Sequence, residues 1–180
     1  MGDLLIIKRQ KKFDPNFQKF FFCTSAAGTD PEREVFRHIH STGKEIICTD
    51  SRRMHIAEME LEPGNWFILK RAKSEIIIHR AEDNSINFPN WKQVVPDCTD
   101  YLKTEFRATS THPYSGVVML LKRLPLKTGI NYEYLNDLKG HEWDVYYSRE
   151  NFKIIKFENV YSGLTALIMP MQLKYNGEDE

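Results

Sequence analysis

The stretch Glu45-Ile46-Ile47-Cys48-Thr49-Asp50-Ser51-Arg52-Arg53-Met54 joins two strand patterns through a tight corner. An apolar run fills residues 45–49, and a second strand pattern covers residues 54–61. Such runs, bounded by turn residues, are typical of β-strands. The side chains of Asp50 and Ser51 are of the kind that bonds nearby backbone N–H groups, which favours a sharp turn. The stretch therefore predicts two neighbouring strands turned at residues 50–52.

Short strand patterns also dominate the rest of the chain, with turn residues between them. The further predicted strands are residues 33–40, 66–70, 75–80, 105–109, 116–124, 143–148, 152–158 and 164–169. The turns include residues 41–44, Pro63-Gly64 and His112-Pro113. The chain is thus predicted to consist mainly of short strands.

A first helix is predicted near the start of the chain. Asp14 is a suitable N-cap residue, and Pro15 suits the first helical position because its missing N–H has no partner there. These signals predict a helix over residues 15–26. The three phenylalanines at positions 20–22 suit a strand equally well.

A second helix is predicted over residues 132–139. Asn131 can cap its N-terminus and Gly140 can end it. Two helices among many short strands predict an α+β fold with antiparallel sheets and the helices packed on one side.

Composition and charge limit the classes of function. The 180 residues are 41% hydrophobic, which suffices for one core or two small lobes sharing one. The 25 basic and 25 acidic residues give no net charge, so DNA contact would require a local basic patch. No apolar run is long enough to span a membrane. Three widely spaced cysteines suit a reducing compartment, and we expect a cytoplasmic protein without membrane contact.

The sequence offers little chemistry of its own. His38 and His40 would share one face of a strand, and Cys48 with His55 could complete a zinc site, although nothing in the spacing requires it. Cys98 and His112 could likewise be drawn as a nucleophile and base. No phosphate-binding loop, dinucleotide fingerprint or metalloprotease motif is present. We expect no enzyme activity, no catalytic metal and no cofactor.

Three segments taken together carry a resemblance to a known family. They are residues 45–54, then Phe88-Pro89-Asn90-Trp91-Lys92-Gln93-Val94-Val95-Pro96, then residues 130–135 with 166–173. In this order they resemble parts of the bacterial DNA polymerase beta subunit, the sliding clamp. Those parts are a Thr-Asp-Gly-His-Arg-Leu corner, a Phe-Pro-Asp-Tyr segment, and the last helix with its closing Met-Pro-Met-Arg-Leu strand.

This chain also departs from the family. Gly and His stand in the family where Ser51 and Arg52 stand here, Met54 replaces a Leu, and Gln172 replaces an Arg. The family's chain carries three domains, whereas 180 residues hold one enlarged domain. The resemblance implies a single clamp-like domain over 1–180, with pseudo-halves at about 1–62 and 125–173 and extra strands in 63–124.

The resemblance also implies a site for clamp-binding peptides of polymerases or repair proteins. In the family, the three segments jointly form a pocket for apolar peptide anchors. The residues that match it here are Thr49, Ser51, Arg52, Arg53, Met54, Pro89, Val94, Val95, Met169, Pro170, Met171 and Leu173. The alternative interpretation of the same residues is a core cluster.

Seven basic residues are the candidates for contact with the DNA backbone. They are Lys8, Arg9, Lys11, Lys12, Lys70, Arg71 and Lys73. The leading hypothesis is a sliding-clamp-like protein of DNA replication or repair that tethers partner proteins, as a ring-forming homo-oligomer on duplex DNA without sequence preference. One alternative is a clamp mimic or adaptor that binds peptides without encircling DNA. Another is a small Cys/His hydrolase or metal enzyme.

Overall fold

The computed structural model describes residues 3–82, 86–107, 120–125, 128–150 and 152–173. Two α-helices and twelve strands lie wholly within these ranges. They are α1 Pro15–Ser25 and α2 Tyr132–Asn136, with β1 Leu4–Lys8, β2 His38–Ser41, β3 Glu45–Thr49, β4 Arg53–Glu58, β5 Gly64–Arg71, β6 Glu75–Arg80, β7 Leu102–Arg107, β8 Thr128–Gly129, β9 Glu142–Tyr147, β10 Ile155–Asn159, β11 Leu164–Ile168 and β12 Met171–Gln172. The predicted α+β class with antiparallel sheets is confirmed.

The chain packs as two compact units. The first comprises Met1–Val94 and Val160–Ala166, and the second comprises Val95–Asn159 and Leu167–Glu180. In the first unit the strand order is β1-β6-β5-β2-β3-β4, and each strand is antiparallel to its neighbours in this order. In the second unit β10, β9 and β7 are antiparallel neighbours, and β12 pairs with β8. The division into pseudo-halves stays a prediction.

Helix α1 supplies much of the first unit's core. The Asp14 side chain accepts a hydrogen bond from the Phe17 N–H at 3.1 Å, and Pro15 occupies the first turn. The helix packs on β3 and β4, where the Cys23 thiol donates to the Ile46 carbonyl at 3.3 Å. The run of phenylalanines at positions 20–22 lies within α1 and is therefore helical, and Phe20 is buried.

The two strands predicted from residues 45–61 form an antiparallel pair. Strand β3 has the predicted bounds, and β4 begins one residue before Met54. Cys48 lies directly opposite His55, and both are fully buried. The turn between them falls at residues 50–52, as predicted.

Aromatic side chains fill the core of the second unit. Trp143 on β9 and Phe106 on β7 each meet Phe157 on β10 edge to face, at 6.5 and 5.7 Å between ring centroids. The Trp143 indole N–H donates to the Leu138 carbonyl at 2.8 Å, which satisfies its one polar group. This bond ties β9 to the turn that follows α2.

Several predicted elements were wrong. Glu34–Arg37 form a 3₁₀ turn, so the first predicted strand is confined to β2. Within the strand predicted at 116–124, residues 120–121 are helical and 122–123 form a turn. The helix predicted over 132–139 is shorter than expected: α2 ends at Asn136, and residues 137–140 form turns. The His112-Pro113 turn lies outside the described residues. No helix in the described part of the chain is long and apolar enough to cross a membrane.

Candidate functional site

Residues 169–173, which we call the closing segment, present apolar side chains to solvent. Met169, Met171 and Leu173 are 50, 43 and 41% exposed, whereas Pro170 is buried. Met171 pairs with Gly129 of β8, which holds the segment at a fixed register. The Leu173 side chain lies over Gly129, so no larger residue fits there without displacing it. In the closing segment, Met169, Met171 and Leu173 are therefore surface residues, whereas Pro170 belongs to the core.

The corner between β3 and β4 is closed by its own polar side chains. The Thr49 hydroxyl donates to the Arg53 carbonyl at 2.7 Å and accepts from the Ser51 N–H at 3.1 Å. The Asp50 carboxylate accepts from the N–H groups of Arg52 and Arg53, and it pairs with the Arg53 guanidinium at 3.1 Å. Because the backbone donors are satisfied within the turn, the corner holds its shape without outside contacts.

Exposure separates the corner residues into two groups. Thr49 and Met54 are buried and support the strands. Ser51 and Arg52 are exposed, and Ser51 has a φ of 77°, the left-handed region that favours glycine. Glycine, which the resembling family motif has at this position, would adopt this conformation without strain. The Ser51 hydroxyl instead accepts a hydrogen bond from the Arg33 guanidinium at 3.2 Å.

The segment that resembles the Phe-Pro string is anchored to the first unit's sheet. The Phe88 ring stacks on His40 at 4.9 Å, and the Asn65 amide donates to the Ile86 carbonyl at 2.9 Å. Pro89 and Val94 are exposed, and Val95 is half-buried. Val94 belongs to the first unit and Val95 to the second.

The structure brings the predicted DNA-contacting residues together in the first unit. We call the seven residues Lys8, Arg9, Lys11, Lys12, Lys70, Arg71 and Lys73 the basic cluster. Lys8 at the end of β1 lies opposite Glu75 of β6, and the Arg9 N–H donates to the Ser74 carbonyl at 2.9 Å. The end of β1 therefore lies beside the β5–β6 turn that carries Lys73.

The side chains of Lys70 and Arg71 are held by partners outside the basic cluster. The Arg71 guanidinium donates to the Phe21 carbonyl at 3.0 Å and lies 3.9 Å from the centroid of the Phe21 ring, which fixes it against α1. Lys70 forms an ion pair with Glu75 at 2.7 Å. The hydrogen bond from Lys70 lowers the pKa of Glu75, and the nearby charge of Lys8 lowers it further. All seven residues of the basic cluster are exposed, including Lys70 and Arg71.

The four residues considered for zinc lie on two faces of one sheet. Because His40 pairs with Ile47, Ile39 lies opposite Cys48, so Cys48 and His55 share the face that Ile39 covers. His38 and His40 point to the other face, since side chains alternate along a strand. The imagined four-ligand set is therefore wrong. Among the described residues, no group of three or more His, Cys, Asp or Glu could hold a metal ion.

His55 is a buried, neutral side chain. Its Nδ1 lies 2.9 Å from the Phe22 carbonyl, which can only accept, so Nδ1 carries the proton. The ring also stacks on Phe22 at 4.3 Å. Burial lowers the pKa of His55 to about 3. His112, the partner considered for Cys98, lies outside the described residues.

The fold that positions these surfaces is that of a sliding clamp. No protein-family model matches the chain, and no curated protein matches it. Solved structures of bacterial DNA polymerase III beta subunits do match, which confirms the resemblance seen in the three segments. Because their sequence identities to this chain are only 14 and 11%, the likeness establishes the fold alone.

Three of these structures show the extent of the match. The beta subunit from Borrelia burgdorferi, in complex with a natural product, has a TM-score of 0.58 at 14% identity over 96% of this chain and 65% of its own. The beta subunit from Thermotoga maritima has a TM-score of 0.56 at 11% sequence identity, and the match covers 96% of this chain and 66% of that subunit. The Helicobacter pylori beta clamp bound to a DNA ligase peptide has 0.51 at 12%, over 95% and 66%. This chain thus spans about two thirds of the length of the clamps it matches.

Proposed function

We propose that this chain is a clamp-like tethering protein of DNA replication or repair, which binds peptides of partner enzymes and has no chemistry of its own. The observation that carries the proposal is the closing segment, where Met169, Met171 and Leu173 are exposed on a sliding-clamp fold. The peptide-bound clamp among the similar structures supports the choice of ligand class. The ligand proposed here is a short peptide with spaced Leu or Phe anchors and a glutamine.

Methionines suit such a surface because their unbranched side chains adapt to different partners. Burying one anchor of Leu size is worth roughly 1.5–3 kcal/mol. Ordering a flexible peptide offsets much of that gain, so affinity should be on the order of micromolar. A role of the corner residues and of Pro89, Val94 and Val95 in peptide binding stays a prediction from the resemblance.

The basic cluster is proposed as the contact with the phosphate backbone of duplex DNA. A chain without net charge has no general attraction to nucleic acid, so a local cluster must supply it. Contacts of lysine and arginine with phosphates carry no direct sequence information, and binding should therefore be independent of sequence. Holding a partner enzyme near DNA raises its effective concentration there without any catalytic step.

Encirclement of DNA is the finer part of the proposal and requires several copies of the chain. Light scattering of the purified protein tests it. A closed oligomer supports the ring, because closed rings are built by symmetric association. A monomer that still binds peptides supports the adaptor alternative, which the neutral composition favours.

Peptide binding is tested by titrating a fluorescent clamp-motif peptide with three proteins. These are the wild type, Met171→Asp and, as a matched control, Leu102→Asp. Met171 and Leu102 are 43 and 37% exposed strand residues of the same unit, so both variants place a charge at a similar surface position. Binding should be lost in Met171→Asp and retained in Leu102→Asp.

Thermal melts of the three proteins accompany the titration. A folded wild type that does not bind the peptide contradicts the proposal. Equal loss of binding in both variants also contradicts it, because the effect would then not depend on the closing segment. A Met171→Asp protein that unfolds would place Met171 in the core cluster considered above.

A further inference from the structure

Phe13 is an exposed aromatic residue within the basic cluster. Its side chain is 72% exposed, the largest exposure of any phenylalanine among the described residues. It follows Lys11 and Lys12 directly and precedes Asp14, the N-cap of α1. Neither the peptide site nor the duplex contact proposed above gives this ring a role.

The loop of residues 9–14 that carries Phe13 is held by hydrogen bonds. The Asp14 carboxylate accepts from the Gln10 N–H and the Phe17 N–H, both at 3.1 Å, and these bonds lower the pKa of Asp14. The Arg9 guanidinium donates back to the carbonyls of Lys11 and Lys12. The ring is therefore presented from a bonded loop that already has its shape.

The charges beside the ring are positive. Lys11 and Lys12 are exposed on the same loop, and the bond from the Arg9 N–H to the Ser74 carbonyl places the loop next to the turn carrying Lys73. The carboxylate of Glu75 is paired with Lys70, and that of Asp14 is bonded to the backbone. Lys70 thus compensates the charge of Glu75, whereas Asp14 stays ionised and its carboxylate is engaged by backbone N–H groups.

We propose that Phe13 is a stacking platform for an unpaired base, and that the basic cluster binds the phosphates on either side of it. The ligand class is single-stranded nucleic acid. An aromatic face next to a positively charged track binds single strands regardless of sequence, because every base has a π-face. In a paired duplex, the bases are stacked on each other and do not present their faces. This inference rests on the proposed function, which assigns the basic cluster to DNA phosphates.

The test measures fluorescence anisotropy of a labelled oligothymidylate of about 12 nucleotides, within the range of common single-strand site sizes, and of a duplex of the same length. Four proteins are compared: the wild type, Phe13→Ala, Phe13→Trp and the double variant Lys11→Gln/Lys12→Gln. Phe13→Ala should weaken single-strand binding by about tenfold or more and change duplex binding by less than about twofold. Phe13→Trp should retain single-strand binding, because it keeps an aromatic face. The lysine variant should weaken both ligands.

The outcomes separate this inference from the proposed function. Single-strand binding that is unchanged in Phe13→Ala overturns the platform, while retained duplex binding leaves the basic cluster in its role. A folded wild type that binds neither the single strand nor the duplex overturns both the platform and the proposed DNA contact of the basic cluster. Vesicles of phosphatidylserine and phosphatidylcholine form a further arm. If the wild type binds the vesicles but not the oligonucleotide, and Phe13→Ala loses vesicle binding, the platform is overturned in favour of a membrane contact.

Discussion

The side chain of Leu173 lies directly over Gly129, so that a methyl group on the glycine would come within 2.7 Å of the Leu173 Cδ2 atom. Both residues belong to the second unit, where Gly129 lies in β8 and Leu173 directly follows β12. The absence of a side chain at Gly129 therefore sets where the end of the closing segment can lie. The contact links a glycine in one strand to an exposed anchor of the proposed peptide site.

Gly129→Ala should weaken peptide binding because the new methyl group displaces Leu173. The leucine is 41% exposed and can move, so the loss of folding stability should stay near 1 kcal/mol. Peptide titration and urea unfolding measure the two effects. In Gly129→Ala/Leu173→Ala the clash is gone, and stability should return towards that of Leu173→Ala alone. Equal stability losses with and without Leu173 would show that the clash is not the cause.

Ser51 should tolerate glycine and reject a β-branched residue. With a φ of 77°, the position is unfavourable for side chains branched at Cβ. We expect Ser51→Gly to stay within about 0.5 kcal/mol of the wild type and Ser51→Val to lose roughly 1–2 kcal/mol. Urea unfolding measures both, with Arg52→Val as a control at the next exposed position. A Ser51→Val protein as stable as Arg52→Val would contradict the strain.

His55 should make the protein less stable as the pH falls. The unfolded chain takes up a proton at His55 near pH 6.5, whereas the folded chain, with a pKa of about 3, stays neutral. Between these values the unfolded state binds more protons, so acid lowers the free energy of unfolding by up to about 1.4 kcal/mol per pH unit.

The matched variant is His55→Phe, which keeps a ring against Phe22 but cannot titrate. Its free energy of unfolding should fall less steeply than that of the wild type between about pH 6 and 5. Burial also lowers the pKa of His38 and His141, but these groups contribute alike to both proteins. If the free energies of unfolding of the wild type and the variant fell equally steeply between these pH values, His55 would not be the cause of the pH dependence.

Lys73 should contribute one phosphate contact to duplex binding. It is exposed on the β5–β6 turn, beside the end of β1. Lys73→Gln should therefore reduce the steepness of the plot of log affinity against log salt by about 0.9. Duplexes of unrelated sequence should give the same result. Binding that ignores salt but depends on sequence would contradict a backbone contact.

Local rules predicted the elements whose signals lie within a few residues. Asp14 and Pro15 indicated the start of α1 because capping is a contact between the cap residue and the next turn. Likewise, β3 and β6 were predicted with the bounds they have. The failure at residues 34–37 has a tertiary cause. There the Phe36 carbonyl accepts from the Gly28 N–H instead of joining a strand ladder.

The sites could be predicted less well, because they depend on residues distant in sequence. The basic residues 8–12 and Lys73 on the β5–β6 turn are more than 60 positions apart, and they come together through the pairing of β1 with β6 and the bond from the Arg9 N–H to the Ser74 carbonyl. Leu4–Lys8 was not predicted as a strand because the run is short and its alternation weak. Without β1, no signal connected Phe13 to Lys73. Exposure was equally hidden, since Met54 and Met171 look alike in sequence but only Met171 is at the surface.

Strand β1 ends the strand order of the first unit, with β6 as its neighbour there, and it exposes Leu4 and Ile6 by 59 and 47%. Such an edge is a template on which other chains can aggregate. The exposed residues Arg9, Lys11 and Lys12 that follow β1 should oppose such pairing, because like charges on two copies repel each other. Concentrated salt screens that repulsion. The protein should therefore be less soluble in concentrated salt than at low ionic strength, and more soluble when Leu4 is replaced by lysine.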